Sequence, residues 1–145
     1  MPESTAMGRF SVEFVVANNR DVVALPASQR ASPRDHVKHL VLSGVVDSGA
    51  TRLVLPRRVA DELQLQFEGQ TTVRYADDRR DKRPLVSNVW LELMGRHGVF
   101  SAVVEPKRRD ALIGAIVLEE LDLLVDCPTQ SLYPREPDSI LSDIE

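Results

Sequence analysis

The run Val45-Val46-Asp47-Ser48-Gly49-Ala50 constrains this chain more than any other stretch, because an apolar strand here delivers an aspartate straight into a Ser-Gly turn. A carboxylate held rigidly at a strand end is what a positioned acid or base requires. Upstream, His39-Leu40-Val41-Leu42-Ser43-Gly44 is aliphatic and β-branched and reads as a buried strand; downstream, Thr51-Arg52-Leu53-Val54-Leu55-Pro56 resumes the apolar run. A triplet of Asp, then Ser or Thr, then Gly arises by chance in roughly one chain of this length in twenty, so its flanks carry the reading. The plainer reading is a tight turn in which Asp47 accepts neighbouring backbone N–H bonds.

One route of water activation holds a bound water between two carboxylates that share one proton, since like charges about 3 Å apart do not both ionise, and by that route a second carboxylate is needed. The chain has one such motif. A second copy would have to supply the other, which implies a symmetric homodimer with the site on its two-fold axis.

Length and composition bound the alternatives. At 145 residues the chain suits one domain, 1–145, with its own core. Apolar residues at 43% and charged residues at 28% argue against wholesale disorder. A net charge of −4 gives no electrostatic reason to expect nucleic acid or an anionic membrane as partner. The basic clusters Arg79-Arg80-Asp81-Lys82-Arg83 and Lys107-Arg108-Arg109-Asp110 are interrupted by acids and read as solvated loops. Cys127 is the only cysteine, which excludes an intrachain disulfide and a Cys-rich zinc site. With no signal-peptide pattern and no apolar window of membrane-spanning length, a soluble, cytoplasmic protein is expected. Residues 1–6 and 136–145 read as flexible tails, with Met7 an alternative start.

Along the chain, Phe10, Val12, Phe14 and Val16 alternate with polar residues as in a half-buried strand, and a turn is expected at Asn18-Asn19-Arg20-Asp21. Residues 22–36 have the composition of an exposed, mobile loop. Pro56 can open a short helix as its first residue, with Val59, Ala60 and Leu63 on one face and an end near Leu65. From Thr71 strands return: Val73 and Tyr75, a charged hairpin tip at Asp77–Arg83, then Leu85 to Leu93, a turn at Gly95–Gly98, and Val99–Val104. Ala111-Leu112-Ile113-Gly114 is followed by a helical pattern at Ile116–Leu121, then a last hairpin of Leu123–Val125 and Ser131–Tyr133. Many short strands with one or two small helices predict a mostly-β, closed or nearly closed barrel. The pattern of apolar strand, Gly turn and short helix occurs twice, at Val45–Leu65 and Leu112–Leu121, with the aspartate only in the first copy.

Three segments together resemble the retroviral-type (retropepsin-like) aspartic peptidases, in particular their small single-domain prokaryotic branch: GVVDSGATRLVLPRRVADELQL, TTVRYADDRRDKRPLVSNVWLEL and ALIGAIVLEELDLLVDCPTQSLYPR. They cover most of the chain from Leu40 to Arg135, and Gly8–Val16 fits the family's opening strand. The resemblance implies an aspartic endopeptidase without cofactors, acting on peptides or proteins as a homodimer with an acid-protease β-barrel. Asp47 would be the catalytic aspartate, Ser48 the hydroxyl that locks to the partner's turn, and Gly49 the residue whose carbonyl lies beside the substrate. Ala50 completes the active-site loop, Gly114 would lie close behind it, and Tyr75, Ala76, Asp77 and Asp78 would form a flap over the peptide. Two departures stand out: Asp78 sits where the flap tip often has Gly, and Ala115 follows Gly114 where many members carry an Arg or polar brace for the loop.

Other chemistry is poorly supported. His36 and His39 have no third ligand at metal-site spacing, and Ser48 lacks the Gly two residues earlier that a nucleophile elbow requires. There is no phosphate-binding or dinucleotide glycine pattern, and Trp90 and Tyr133 read as core and rim residues. Arg52–Leu63 also resembles the strand-Pro-helix element of swapped-hairpin DNA-binding dimers, a reading opposed by the acidic charge. A third reading keeps the peptidase-like dimer as a catalytically silent peptide-binding scaffold.

Overall fold

The computed structural model describes residues 9–145; the expected 1–6 extension lies outside the described residues. The architecture is mostly β. Strand β1 (Arg9–Asn18) runs antiparallel to β2 (His39–Asp47), in a register that sets Arg9 opposite Asp47 and Val16 opposite Leu40. Strand β3 (Leu53–Pro56) leads into β4 (Gln66–Arg74), β5 (Arg80–Leu93), β6 (Arg96–Glu105) and β7 (Ala111–Ile113). These seven form one sheet in the order β1-β2-β7-β3-β6-β5-β4, and β1 also pairs with β5, so six strands close on one another with β4 outside the ring. A separate hairpin joins β8 (Leu123–Asp126) to β9 (Ser131–Pro134).

Closure explains the burial pattern of β1. Its first half alternates, but Phe14 to Asn18 are all buried because β5 pairs alongside that half. Inside the ring lie Phe14, Val16, Val46, Leu53, Leu55, Leu91 and Ile113. Val15, Ala17, Val22 and Trp90 make a second, smaller cluster, with Val37 against it. Each fully buried aliphatic or aromatic side chain contributes about 1.5–3 kcal/mol. Strand β3 is paired on both sides, with β7 and β6. It offers no open edge for the strand exchange that the DNA-binding reading needs. Among the described residues no helix is long and apolar enough to cross a membrane.

Several boundaries differ from the sequence expectation, each for a local reason. No simple turn follows β1: helix α1 (Asn19–Val23) begins there, capped by the Asn18 side chain, whose oxygen accepts from Arg20 N at 3.0 Å. Residues 22–36 continue in two 3-10 turns, Ala27–Gln29 and Pro33–Asp35, with Arg30 donating to Leu25 O and Val23 O. Helix α2 (Arg57–Glu62) has Pro56 as its cap, outside the helix, and stops short of Leu65 because Gln64 takes a left-handed φ of 53°. Strand β4 starts at Gln66, five residues before the expected start. The β5–β6 turn is Met94-Gly95, with φ of 53° and 76°, the two positive values that a two-residue hairpin turn of the primed kind demands. The expected turn at Gly95–Gly98 is thus shorter, because Arg96, His97 and Gly98 already pair with β5 and Met94 supplies the other positive φ. Helix α3 (Ala115–Leu121) follows β7 as expected. The 136–145 segment carries no helix or strand; Arg96 donates to Glu136 O and to Ser139 O, and Leu141 N to the Asp122 carboxylate.

Asn18, only 3% exposed, joins β1 to the end of α2: its Nδ2 donates to Leu63 O at 3.2 Å and Gln64 O at 3.0 Å. Replacement by Ala leaves two carbonyls and one amide without these partners. Asn18→Ala should destabilise the protein by about 1–3 kcal/mol in chemical denaturation; a change within about 0.5 kcal/mol, the range of ordinary surface substitutions, would show that water replaces these bonds without loss.

Candidate active site

Asp47 is the last residue of β2, and its carboxylate is gripped on both oxygens. Gly49 N donates to Oδ1 at 3.0 Å, and Ala50 N closes the turn onto the Asp47 carbonyl at 3.1 Å. Arg9 Nη2 lies 2.9 Å from Oδ2, with the Asp47 side chain 16% exposed and that of Arg9 62% exposed. Arg9 was missed in the sequence, since only the β1–β2 register brings it across from Asp47. Ser48 and Gly49 are exposed on the turn. Among the described residues a Cβ added at Gly49 would meet only Asp47 Oδ1, at 3.3 Å, so nothing else there demands glycine.

Gly114 is different. Strand β7 runs parallel to β2, with Val46 beside Ile113, and this carries Gly114 in behind the aspartate turn. A Cβ there would stand 2.5 Å from Arg52 O, 2.8 Å from Ala50 O and 2.8 Å from Thr51 C, all backbone. Its φ of −95° would suit any residue, so the restriction is one of space alone. Immediately after it, Ala115 N donates to Ala50 O at 2.8 Å and Ile116 N to Thr51 O at 3.0 Å. The loop therefore has its brace. Ala115 contributes it through the main chain, which a search for a polar side chain at that position does not see. Gly114→Ala should cost about 1–3 kcal/mol by overpacking and displace the Asp47 turn; unchanged stability together with an unchanged amide spectrum for residues 47–52 would show that the close approach is not a constraint.

The β4–β5 hairpin reaches over this turn. Its tip is tighter than the sequence suggested: Tyr75 N donates to Arg79 O at 2.8 Å and Asp78 N to Tyr75 O at 2.9 Å, leaving Ala76, Asp77 and Asp78 as a three-residue loop. Asp78 takes the left-handed position, φ 70°, that glycine usually fills. Asp77 Oδ1 accepts from Arg79 N at 3.0 Å. At the base, Tyr75 Oη donates to Glu105 Oε2, Arg83 Nε donates to Glu105 Oε1 at 2.8 Å, and the Arg79 guanidinium stacks 4.5 Å from the Tyr75 ring centre. The hairpin is thereby pinned to β6 at its root. Asp47, Gly49, Ala50, Tyr75, Ala76 and Asp78 line one cavity of about 550 Å³, which Arg9 and Arg74 also border. Ser48 and Asp77 do not line it, and Gly114 supports it from behind. Among the described residues no cluster of three or more His, Cys, Asp or Glu could hold a metal ion.

Burial, then the bond and charge of Glu105, push the Tyr75 phenol above its ordinary 10.0, against a smaller opposing effect of Arg83. The folded protein thus keeps this proton to higher pH than the unfolded chain does. The resulting stabilisation is full below pH 10.0 and is lost as pH rises through the folded value. In an ultraviolet difference titration Glu105→Gln should move the Tyr75 step to lower pH; superimposable curves would mean that Glu105 does not hold the phenol.

A mostly-β ring with an aspartate at a strand-end glycine turn, an apolar-apolar-Gly strand behind it and a hairpin above it defines the acid-protease class of fold. This chain belongs to the retropepsin-like aspartyl protease family: the Aspartyl protease family model matches residues 37–117, from just before β2 into α3. The matched span includes Asp47, the hairpin and Gly114. A search of curated proteins finds no match to the chain.

Proposed function

We propose that this protein is an aspartic endopeptidase that works as a homodimer, each 1–145 domain contributing one Asp47 to a shared pair. The observation that carries the reading is the Asp47 carboxylate, fixed by Gly49 N and set in a cavity beneath Tyr75. In this mechanism one Asp47 takes a proton from the attacking water while the other, protonated, polarises the scissile carbonyl; symmetry makes the roles exchangeable. No covalent intermediate and no cofactor are needed. Ser48, exposed on the turn, is free to reach the partner's turn, and the carbonyl of Gly49 is offered to the peptide. The ring is read as the barrel of this clan, and Ala76, Asp77 and Asp78 as the part of the flap that closes over substrate and excludes water. A cytoplasmic setting fits the lone cysteine.

For this chemistry Asp47 Oδ2 has to be released by Arg9, whose exposed side chain can swing into solvent. The same ion pair favours a second reading, a peptide-binding dimer that does not cut. One set of measurements separates them. Asp47→Asn, folded as judged by circular dichroism, should lose at least about a hundredfold in peptide cleavage, and the specific activity of the unaltered protein should fall on dilution below its dimer dissociation constant. Cleavage unaffected by Asp47→Asn, with contaminating protease excluded, sinks the catalytic assignment. Should neither the unaltered protein nor Arg9→Ala cut any peptide, the non-cutting dimer stands instead.

A further inference from the structure

The cavity at Asp47 opens into a larger one, of about 590 Å³, and the two share Gly49, Ala50, Arg74, Tyr75 and Leu112. An extended peptide passing Asp47 under the hairpin would project a side chain into this second space. Its lining is unlike a purely apolar subsite. Val54, Val103 and Leu112 supply apolar surface, whereas Arg52, Arg74 and Arg108 all contribute to the wall. One acid, Glu105, lies among them, and both its oxygens are engaged, by Arg83 and by the Tyr75 hydroxyl. Among the described residues Arg52 and Arg108 form no ion pair with an acid. Arg108 is half-buried and oriented by its Nε bond to Asp110 O at 2.9 Å. Arg74 has only a distant, exposed contact with Asp78, at 3.9 Å. Among the described residues the cavity therefore carries an uncompensated positive charge, in a protein whose net charge is −4.

We propose that this cavity is a specificity subsite for a glutamate side chain of the peptide substrate, with its methylenes against Val54, Val103 and Leu112 and its carboxylate held by Arg52 and Arg108. Glutamate is favoured over aspartate because the longer stem spans the apolar surface before reaching the guanidinium groups. Arginine donors in a partly enclosed cavity suit a carboxylate through paired, charge-assisted hydrogen bonds. The proposal rests on the peptidase reading only for which peptide residue enters the cavity; recognition of the anionic side chain does not require that bond breaking follow.

Two measurements test it. Binding is read on Asp47→Asn protein with fluorescent extended peptides that differ only in Glu or Gln at one position, that position being scanned along the peptide. Cleavage is read on the unaltered protein with a randomised peptide library and mass spectrometric mapping of the cut sites. At one position the Glu peptide should bind roughly tenfold more tightly than its Gln partner, as expected for charged hydrogen bonds, and the gap should close in Arg108→Gln. Arg108→Glu should turn the preference toward a Lys peptide, a gain of binding that a misfolded variant could not give. Glu should be enriched at the same position in the cut library. Equal binding of Glu and Gln at every position overturns the subsite, as does library cleavage with only apolar preferences, in which case the peptidase reading survives. Glu selectivity without any cleavage establishes the subsite and overturns the peptidase reading.

Discussion

Backbone meets backbone where Gly114 lies against Ala50, Thr51 and Arg52, and the rest of the candidate site depends on that contact. It exists because β2 and β7 run parallel and end side by side, at Asp47 and at Ile113. Only a residue without a Cβ allows the two main chains to approach so closely, and only at that separation can Ala115 N and Ile116 N reach the carbonyls of the aspartate loop. The carboxylate is then held from in front by Gly49 N and from behind through the loop itself. Such positioning is a property of the fold, not of any one side chain, and it fixes where the Asp47 carboxylate sits.

Charge is distributed around this frame in a way that its composition conceals. The protein is acidic as a whole, yet the groove beside Asp47 is bordered by Arg9, Arg52, Arg74 and Arg108. The node of Tyr75, Glu105 and Arg83 ties the hairpin root to β6 and neutralises Glu105, the one acid among the described residues of the larger cavity's wall. Thus the same hydrogen bonds that fix the hairpin also leave the neighbouring arginines to set the character of the groove. Ala76, Asp77 and Asp78 lie beyond this fixed point, at the hairpin tip.

Much of this was legible in the chain. The Asp47 turn, the two apolar runs about it, the charged hairpin and the Ala111–Gly114 element stand out because burial imposes a short-range pattern that a linear reading detects. The unusual Asp78 at the hairpin tip was also visible, and the left-handed backbone there is one that glycine adopts more readily. What escaped were features made by distant partners. Asn18 looks like a turn residue until α2 is folded against it. The brace of the aspartate loop was sought in the side chain after Gly114 but is made by amides, which every non-proline residue carries and no sequence pattern marks.

The sequence by itself determined the class: an aspartate at a glycine turn between apolar strands, one copy per chain, with a family pattern spread over most of its length. It did so because strand periodicity, turn chemistry and the steric demand for glycine are local properties. Only the tertiary structure decided which charges meet. The closure of β1 onto β5, the pairing of Arg9 with Asp47, the engagement of Glu105 and the convergence of Arg52, Arg74 and Arg108 on one cavity depend on register between strands far apart in the chain. A shift of one residue in any of those registers would turn the side chains to the opposite face.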